Sequence, residues 1–273
     1  WINEKPLPFN NRDYSVGPPA LSPDGTILYF SSDMPGGYGG TDLYKSYRQN
    51  DGSWTKPENL GNSINTEGNE MFPFCHADGI LFFASDGHYG LGGLDIFYTA
   101  IRRNTHGKVR NLGAPINTSK DDFALLFNRN FTAGYLSSNR LGGKGSDDIY
   151  GIRVLKPLRF WKTIKGVAKD NTGAIVSGAK VRLIGDEGEE IQNFITGPNG
   201  TYSFNVESDQ EYTINGSKVK YSDGVKKVNT AGDDEVINGD VVLEKTPSIK
   251  LYCLVSEKIT GSALEGCLLY TSD

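Results

Sequence analysis

The chain has 273 residues, enough for two domains, and 34 of them are glycine. Its net charge of −5 argues against a nucleic-acid partner, which needs a basic face. No apolar run approaches the ~20 residues of a membrane span, and no leader segment is visible; because the first residue is Trp1, the expectation is that the sequence begins inside a longer protein.

In chain order, the first recognisable unit is "PALSPDGTILYF", Pro19–Phe30, followed by "FSSDMPGGYGGTDLY", Phe30–Tyr44. Both return. "PFCHADGILFF" at Pro73–Phe83 leads into "FASDGHYGLGGLDIF" at Phe83–Phe97, and "FALLFNRNFTAGYLSS" at Phe123–Ser138 leads into "LSSNRLGGKGSDDIY" at Leu136–Tyr150. Asp33, Asp86 and Asn139 stand 53 residues apart, and so do Asp42, Asp95 and Asp148. "NLGNSINT" at Asn59–Thr66 matches "NLGAPINT" at Asn111–Thr118. A fixed period of this size determines the architecture.

Each repeat reads as four short strands. In the second they are Met71–His76, Ile80–Ser85, Asp95–Ile101 and a weaker one around Lys108–Leu112. Asp-Gly closes the first hairpin, since Gly accepts positive φ cheaply, and the strands are rich in Phe, Tyr, Leu and Ile. Four strands per ~50-residue repeat predict β-propeller blades. Trp1 lies 53 residues before Trp54 and Leu7 lies 53 before Leu60. The chain is therefore expected to open inside the last strand of a blade that begins upstream, leaving the propeller an incomplete arc of about three four-stranded blades.

These residues resemble the WD-like, TolB-type propeller repeat found in OmpA-family envelope proteins of gram-negative bacteria. The resemblance runs from Trp1 to about Leu155. It implies a periplasmic protein associated with the outer membrane. Its partners would be other envelope proteins, in some relatives those of secretion or gliding machinery. Peptidoglycan would be reached only through a terminal domain that this sequence does not contain.

After Leu155 the texture changes. "KPLRFWKT", residues 156–163, reads as a linker. From Ile164, Val167, Val181, Leu183, Ile191, Phe194, Tyr202 and Phe204 fall on short alternating strands. Turns are expected at Asn171-Thr172-Gly173 and Pro198-Asn199-Gly200. "DNTGAIVSGAKVRL" and "TGPNGTYSF" resemble the carboxypeptidase-regulatory-like domain, a transthyretin-like β-sandwich without catalytic machinery of its own, here placed at residues 164–246. "VSEKITGSALEG", Val255–Gly266, repeats "VAKDNTGAIVSG", Val167–Gly178, so a second, truncated sandwich is expected over residues 247–266. The last seven residues, Cys267–Asp273, read as an adapter-derived artefact. The fold class expected is all-β: a partial propeller followed by a sandwich.

Chemistry is sparse. The Gly-rich loops lack the Gly-Lys-Ser/Thr of a P-loop and precede no helix that could receive a phosphate. Calcium on Asp33, Asp42 and their counterparts is one reading; the favoured one is that each Asp caps its own turn. His76, His88 and His106 share no metal spacing, and His88 has no visible nucleophile partner. There is no nucleophile elbow. "NDGSW", Asn50–Trp54, resembles part of a sialidase Asp-box, with Arg48 where the full box has Ser or Thr and Ser53 where it has Thr before the aromatic. Paired carboxylates for glycoside cleavage could come from Asp24, Asp78 or Glu70, but turn roles are favoured. Cys75, Cys253 and Cys267 imply no disulfide framework, and Cys75 reads as a small buried hydrophobe. The chain is thus expected to need no cofactor and to be a non-enzymatic scaffold. His88, Arg140 and Lys144 break the repeat pattern and form a possible partner surface. The alternative is a carbohydrate-binding or carbohydrate-active propeller using Tyr38 and Tyr89.

Overall fold

The computed structural model describes residues 6–102, 105–156, 158–246 and 259–260. Its described residues form strands and no helices, in two compact units, Trp1–Lys162 and Thr163–Asp273. The Trp1 match, the second sandwich over 247–266, Cys253 and the suspected artefact at 267–273 lie outside the described residues.

The first unit is three antiparallel meanders in chain order. The first joins β1 (Val16–Leu21), β2 (Ile27–Ser32), β3 (Asp42–Tyr47) and β4 (Glu58–Asn59). The second joins β5 (Glu70–His76), β6 (Ile80–Ser85) and β7 (Asp95–Arg102), with β8 (Thr105–His106) and β9 (Arg110–Asn111) both on β7. The third has only β10 (Asp122–Phe127), β11 (Ala133–Ser138) and β12 (Asp148–Arg153). The expected four strands per repeat therefore become four, five and three. The third meander ends where no "NLGxxIN" segment follows to supply an outer strand.

The registers coincide. Ser32, Ser85 and Ser138 pair with Asp42, Asp95 and Asp148, and with Val16, Glu70 and Asp122 on the other side. Each first strand carries one bulge at the same place. Phe72 and Ala124 take positive φ there, at 54° and 51°; Pro18, in the first copy, cannot.

Because successive side chains point to opposite faces, the middle strands separate two cores. Phe82 and Ala84 of β6 pack toward the third sheet, with Leu125, Phe127 and Leu136. Leu81 and Phe83 pack toward the first, with Tyr29, Leu43 and Ile64. A strand buried on both faces reads as a continuous apolar run, which "ILFFA" is. The segment expected as a linker is partly built in: Phe160 is buried beside Phe82 (5.7 Å), Tyr98 (4.9 Å) and Phe131 (5.1 Å). Its Pro and basic residues suggest a spacer, but Leu158, Phe160 and Trp161 supply enough apolar surface to hold it on the meander.

The second unit packs two sheets face to face. One follows the order β16 (Thr201–Glu207), β13 (Trp161–Asp170), β21 (Val241–Lys245), β18 (Tyr221–Ser222), with β20 (Val236–Asn238) also on β13. The other follows β15 (Glu190–Ile195), β14 (Lys180–Ile184), β17 (Glu211–Ser217), β19 (Gly224–Asn229). Val181, Leu183, Tyr202, Phe204, Val206 and Ile214 form its core. Val167 and Phe194 lie on strands, as expected, but do not belong to this core. Ile164 and Ala168 face inward instead, which turns the intervening Val167 outward, and Phe194 sits on edge strand β15. Both expected turns form, with Gly173 at φ 87° and Gly200 at φ 67°.

Asp240 braces this unit. Its Oδ1 accepts from the Val167 amide (2.9 Å) and its Oδ2 from Lys169 Nζ (2.7 Å). The Lys169 hydrogen bond holds the Asp240 carboxyl below the usual range; burial opposes it, and the Val167 amide adds to the lowering. A group with a depressed native pKa contributes stability above its unfolded pKa and loses it as pH falls through the native value. Asp240→Asn is therefore expected to lower the melting temperature at neutral pH. The gap from the parent should close under acid conditions, below the ordinary aspartate range. Melting curves across pH check this, and a gap that widens in acid would refute it.

Candidate functional site

The conspicuous side chains of the first unit gather where each Gly-rich loop meets the entry of the next meander. Asp42 accepts from the amides of Tyr38 (2.6 Å) and Gly39 (3.2 Å) and from Asn59 Nδ2 (2.7 Å). Asp95 repeats this with Leu91, Gly92 (3.4 Å) and Asn111 (3.4 Å). Asp148 accepts from Lys144 (2.7 Å) and Gly145 (3.0 Å). These carboxylates face N–H donors, an environment suited to an anion's own hydrogen bonds and opposed to a cation. Among the described residues no cluster of three or more His, Cys, Asp or Glu could hold a metal ion.

Asp33, Asp86 and Asn139 reach sideways. Asp33 Oδ1 accepts from Ser15 N (2.5 Å). Asp86 accepts from Asn69 N (2.6 Å) and Asn69 Nδ2 (2.9 Å). In the third copy the two types are exchanged: Asn139 Oδ1 accepts from Asp121 N (2.8 Å), and Asn139 Nδ2 donates to Asp121 (2.6 Å). The acid and the amide have swapped positions with the bond preserved.

The glycines allow close backbone approach. A Cβ on Gly39 would run into the carbonyl oxygens of Thr66 and Gly68, and one on Gly92 into those of Thr118 and Lys120. The backbones meet there: Gly40 N donates to Gly68 O (2.8 Å), Glu70 N to Thr41 O (2.6 Å) and Asp122 N to Leu94 O (2.6 Å).

Sequence reasoning missed the strongest members of this seam. Asn65 Oδ1 accepts from Leu43 N (2.8 Å) while its Nδ2 donates to Leu43 O (3.0 Å) and Asn59 Oδ1 (2.8 Å). Asn117 does the same to Ile96 and Asn111, at 2.8 Å throughout. Both are buried and act as a one-residue strand on the outer edge of the neighbouring meander. Buried Glu70 accepts from Thr66 N, Thr66 Oγ1 and Ser85 Oγ (2.6–2.8 Å); buried Asp122 accepts from Thr118 N (2.6 Å) and Thr118 Oγ1 (2.8 Å). The recurrence of "NLG" and "INT" was the available signal.

The residues expected to face a partner divide. His88 is half-buried: its Nε2 lies 2.7 Å from the Ile64 carbonyl, to which it can only donate, and its ring packs on Phe83 (6.0 Å) and Phe97 (5.1 Å). Arg140 donates to the equivalent carbonyl, Ile116 O (2.7 Å), and pairs with Asp122 (2.5 Å). Two unlike side chains therefore do one job, tying the loop to the "NLGxxIN" segment, and neither is an open contact residue. Lys144 and Tyr38 are exposed, and Tyr89 is fully so.

Of the possible catalytic groups, Glu70 is buried and fully bonded, while Asp24 and Asp78 stand in the first hairpin turns of their repeats. Asp24 accepts from Ser22 Oγ (2.5 Å), Thr26 N (3.1 Å) and Thr26 Oγ1 (2.8 Å). These bonds, led by Ser22, lower its carboxyl. Asp51 does likewise for Ser53 in the Asp-box-like turn. His76 Nε2 lies 3.2 Å from Asn128 O. Burial pushes the Cys75 thiol up to about 11, so it is inert as a nucleophile. One nucleophile–base pair unforeseen from sequence does form: Ser63 Oγ lies 3.2 Å from His106 Nε2. His106 Nδ1 faces a backbone carbonyl, Gly107 O (3.4 Å), where a hydrolytic triad has an orienting carboxylate.

In the second unit, Lys165, Val167, Phe194, Thr201, Tyr202 and Asp240 line an open cleft of about 430 Å³. The Tyr202 hydroxyl donates to the Gly239 carbonyl beneath it, and burial raises its pKa.

No curated protein matches the chain. Catechol 1,2-dioxygenase of Acinetobacter radioresistens is 14% identical over 35% of this chain and 56% of its own, with a TM-score of 0.26. The chain thus spans little more than half of that enzyme. The Bacillus anthracis TIE protein is 11% identical over 86% of this chain and 59% of its own, with a TM-score of 0.30. A C-terminal fragment of the pilus adhesin SpaC from Lactobacillus rhamnosus GG is 11% identical over 85% and 97%, also at 0.30. Residues 163–244 match the carboxypeptidase regulatory-like domain family, so the second unit carries that domain.

Proposed function

We propose that the chain is a non-enzymatic scaffold of a bacterial cell envelope, in which an arc of β-propeller blades precedes the carboxypeptidase regulatory-like domain. The observation that carries this reading is that the repeated polar residues are spent on the chain itself. Asp42, Asp95, Asn65, Asn117, Glu70 and Asp122 all bond the neighbouring loop or meander. Such residues build a rigid surface and leave few groups for bond-making. Successive antiparallel meanders, of four, five and three strands, packed face on face support blades. Association with the outer membrane, among proteins of a secretion or gliding apparatus, follows from the resemblance of the repeats. Among the described residues no helix is long and apolar enough to cross a membrane, which is silent on β-barrels.

The test is capture of partners from a solubilised envelope fraction. The variant should carry Tyr38→Ala, Tyr89→Ala and Lys144→Ala, since all three residues are exposed. A specific partner lost in this variant at unchanged melting temperature is the expected result. The full exposure of Tyr89 favours a second reading, sugar stacking on loop aromatics; a glycan array with the same variant decides it. Turnover of a glycoside, ester or peptide substrate that disappears in Ser63→Ala would overturn the scaffold reading.

A further inference from the structure

The two ends of the first unit differ in character. Away from its strands and from Leu155, where the chain leaves the third meander, every exposed large apolar side chain among the described residues of this unit stands on a Gly-rich loop. They are Tyr38, Tyr89, Leu91 and Leu141, with Tyr89 102% and Leu141 89% exposed. The opposite end, formed by the first hairpin turns, carries exposed Asp24, Asp78, Arg129 and Asn130 instead.

The three loops lie side by side. Each joins the second strand of its meander to the third, across the rung that pairs serine with aspartate. Glu70 N donates to Thr41 O at the end of the first loop, and Glu70 pairs with Ser85, where the second loop begins. Asp122, bonded to Leu94 O and paired with Ser138, joins the second loop to the third in the same way. Five residues beyond Asp33, Asp86 and Asn139 stand Tyr38, Leu91 and Lys144. Their amides donate to the carboxylates of Asp42, Asp95 and Asp148. Their side chains can therefore leave water without stranding the amide of their own residue, which an apolar phase would penalise. Lys144 adds a long apolar stem ending in a cation, suited to a headgroup phosphate.

From this we propose that the Gly-rich loops dip into the surface of a lipid bilayer. Tyr38, Tyr89, Leu91 and Leu141 enter the interfacial layer, the Lys144 ammonium stays at the phosphates, and the polar far end faces water. Tyrosine suits that depth because its ring is apolar and its hydroxyl wet. A folded protein partner needs a contiguous, complementary patch with anchors seated in pockets. These four side chains project singly from three loops with glycines between them, and a fluid phase closes around such anchors without a matching surface. A chain of net charge −5 gains little from an anionic surface, so apolar contact supplies the affinity.

The test is co-sedimentation with phosphatidylcholine vesicles. Half of the chain should be bound at about 1 mM lipid, weaker than a single acyl chain gives, and added salt should change this little. Tyr89→Ser combined with Leu141→Ser, both at exposed positions that leave the melting temperature unchanged, should bind at least tenfold less. Orientation is read in a Cys75→Ala, Cys253→Ala, Cys267→Ala background. An environment-sensitive nitrobenzoxadiazole label is placed on Leu141→Cys or on Asn130→Cys, at the other end of β11. Vesicles should brighten the first label and leave the second unchanged. Absence of binding at about ten times that lipid concentration, binding unchanged in the double variant, or equal brightening of both labels overturns the proposal. Partner capture uses solubilised protein with no bilayer present, so it tests the scaffold reading separately. A protein captured through these loops by a chain that ignores vesicles would assign them to that protein and overturn the lipid inference alone.

Discussion

Arg140→Ala is expected to cost about 3 kcal/mol of unfolding free energy. Arg140 joins the buried Asp122 carboxylate at 2.5 Å, with the arginine 22% and the aspartate 0% exposed. It also donates to Ile116 O (2.7 Å) and Ser138 Oγ (3.0 Å). Removing it leaves a buried charge with only the Thr118 donors and strands the Ile116 carbonyl. Breaking a buried pair costs roughly 3–5 kcal/mol; the partial exposure of Arg140 places the value at the low end. Urea unfolding is the measurement. In an Asp122→Asn background the same substitution should cost much less, because no buried charge remains to be orphaned. Lys144→Ala, in the same loop but exposed, should change stability little. A loss from Arg140→Ala no larger than that of Lys144→Ala would show that the pair does not hold the third meander.

Gly92→Ala should lose about 3 kcal/mol, the upper end of the usual cost of overpacking, while Gly145→Ala should be nearly neutral. Both glycines stand three residues before the aspartate that opens the third strand of their repeat. A Cβ on Gly92 would collide with backbone atoms of Lys120 and Thr118. These cannot swing aside as a side chain would, so the second and third meanders must separate and the bond from Asp122 N to Leu94 O must stretch. Neither glycine has positive φ, so the difference isolates close approach from backbone strain. Equal effects of the two substitutions in denaturant titrations would refute the seam as the reason for the glycines.

Much of the local structure is determined by sequence alone. The alternation of "TYSFNV" places Tyr202, Phe204 and Val206 inward without reference to any partner. Asp-Gly and Asn-Gly fix the hairpins, because Gly25, Gly79 and Gly200 take positive φ cheaply. The continuous run "ILFFA" implies a strand covered on both sides. The period of 53 aligns the registers of three meanders, since equal spacing returns each aspartate to the same rung.

The chemistry of the seam was decided only in three dimensions. Composition could not show that His88 and Arg140, of different length and one alignment position apart, reach equivalent carbonyls at Ile64 and Ile116. Departure from the repeat looked like a free surface, but a hydrogen bond depends on where the donor ends, and two side chains can end at one point. Nor could spacing tell that Ile149 is bare while Ile96 is buried. The two residues are the same in sequence, and their difference lies in what packs next to them. Burial is a property of neighbours distant in the chain, and the neighbour of the third meander is the one thing that the repeat by itself does not supply.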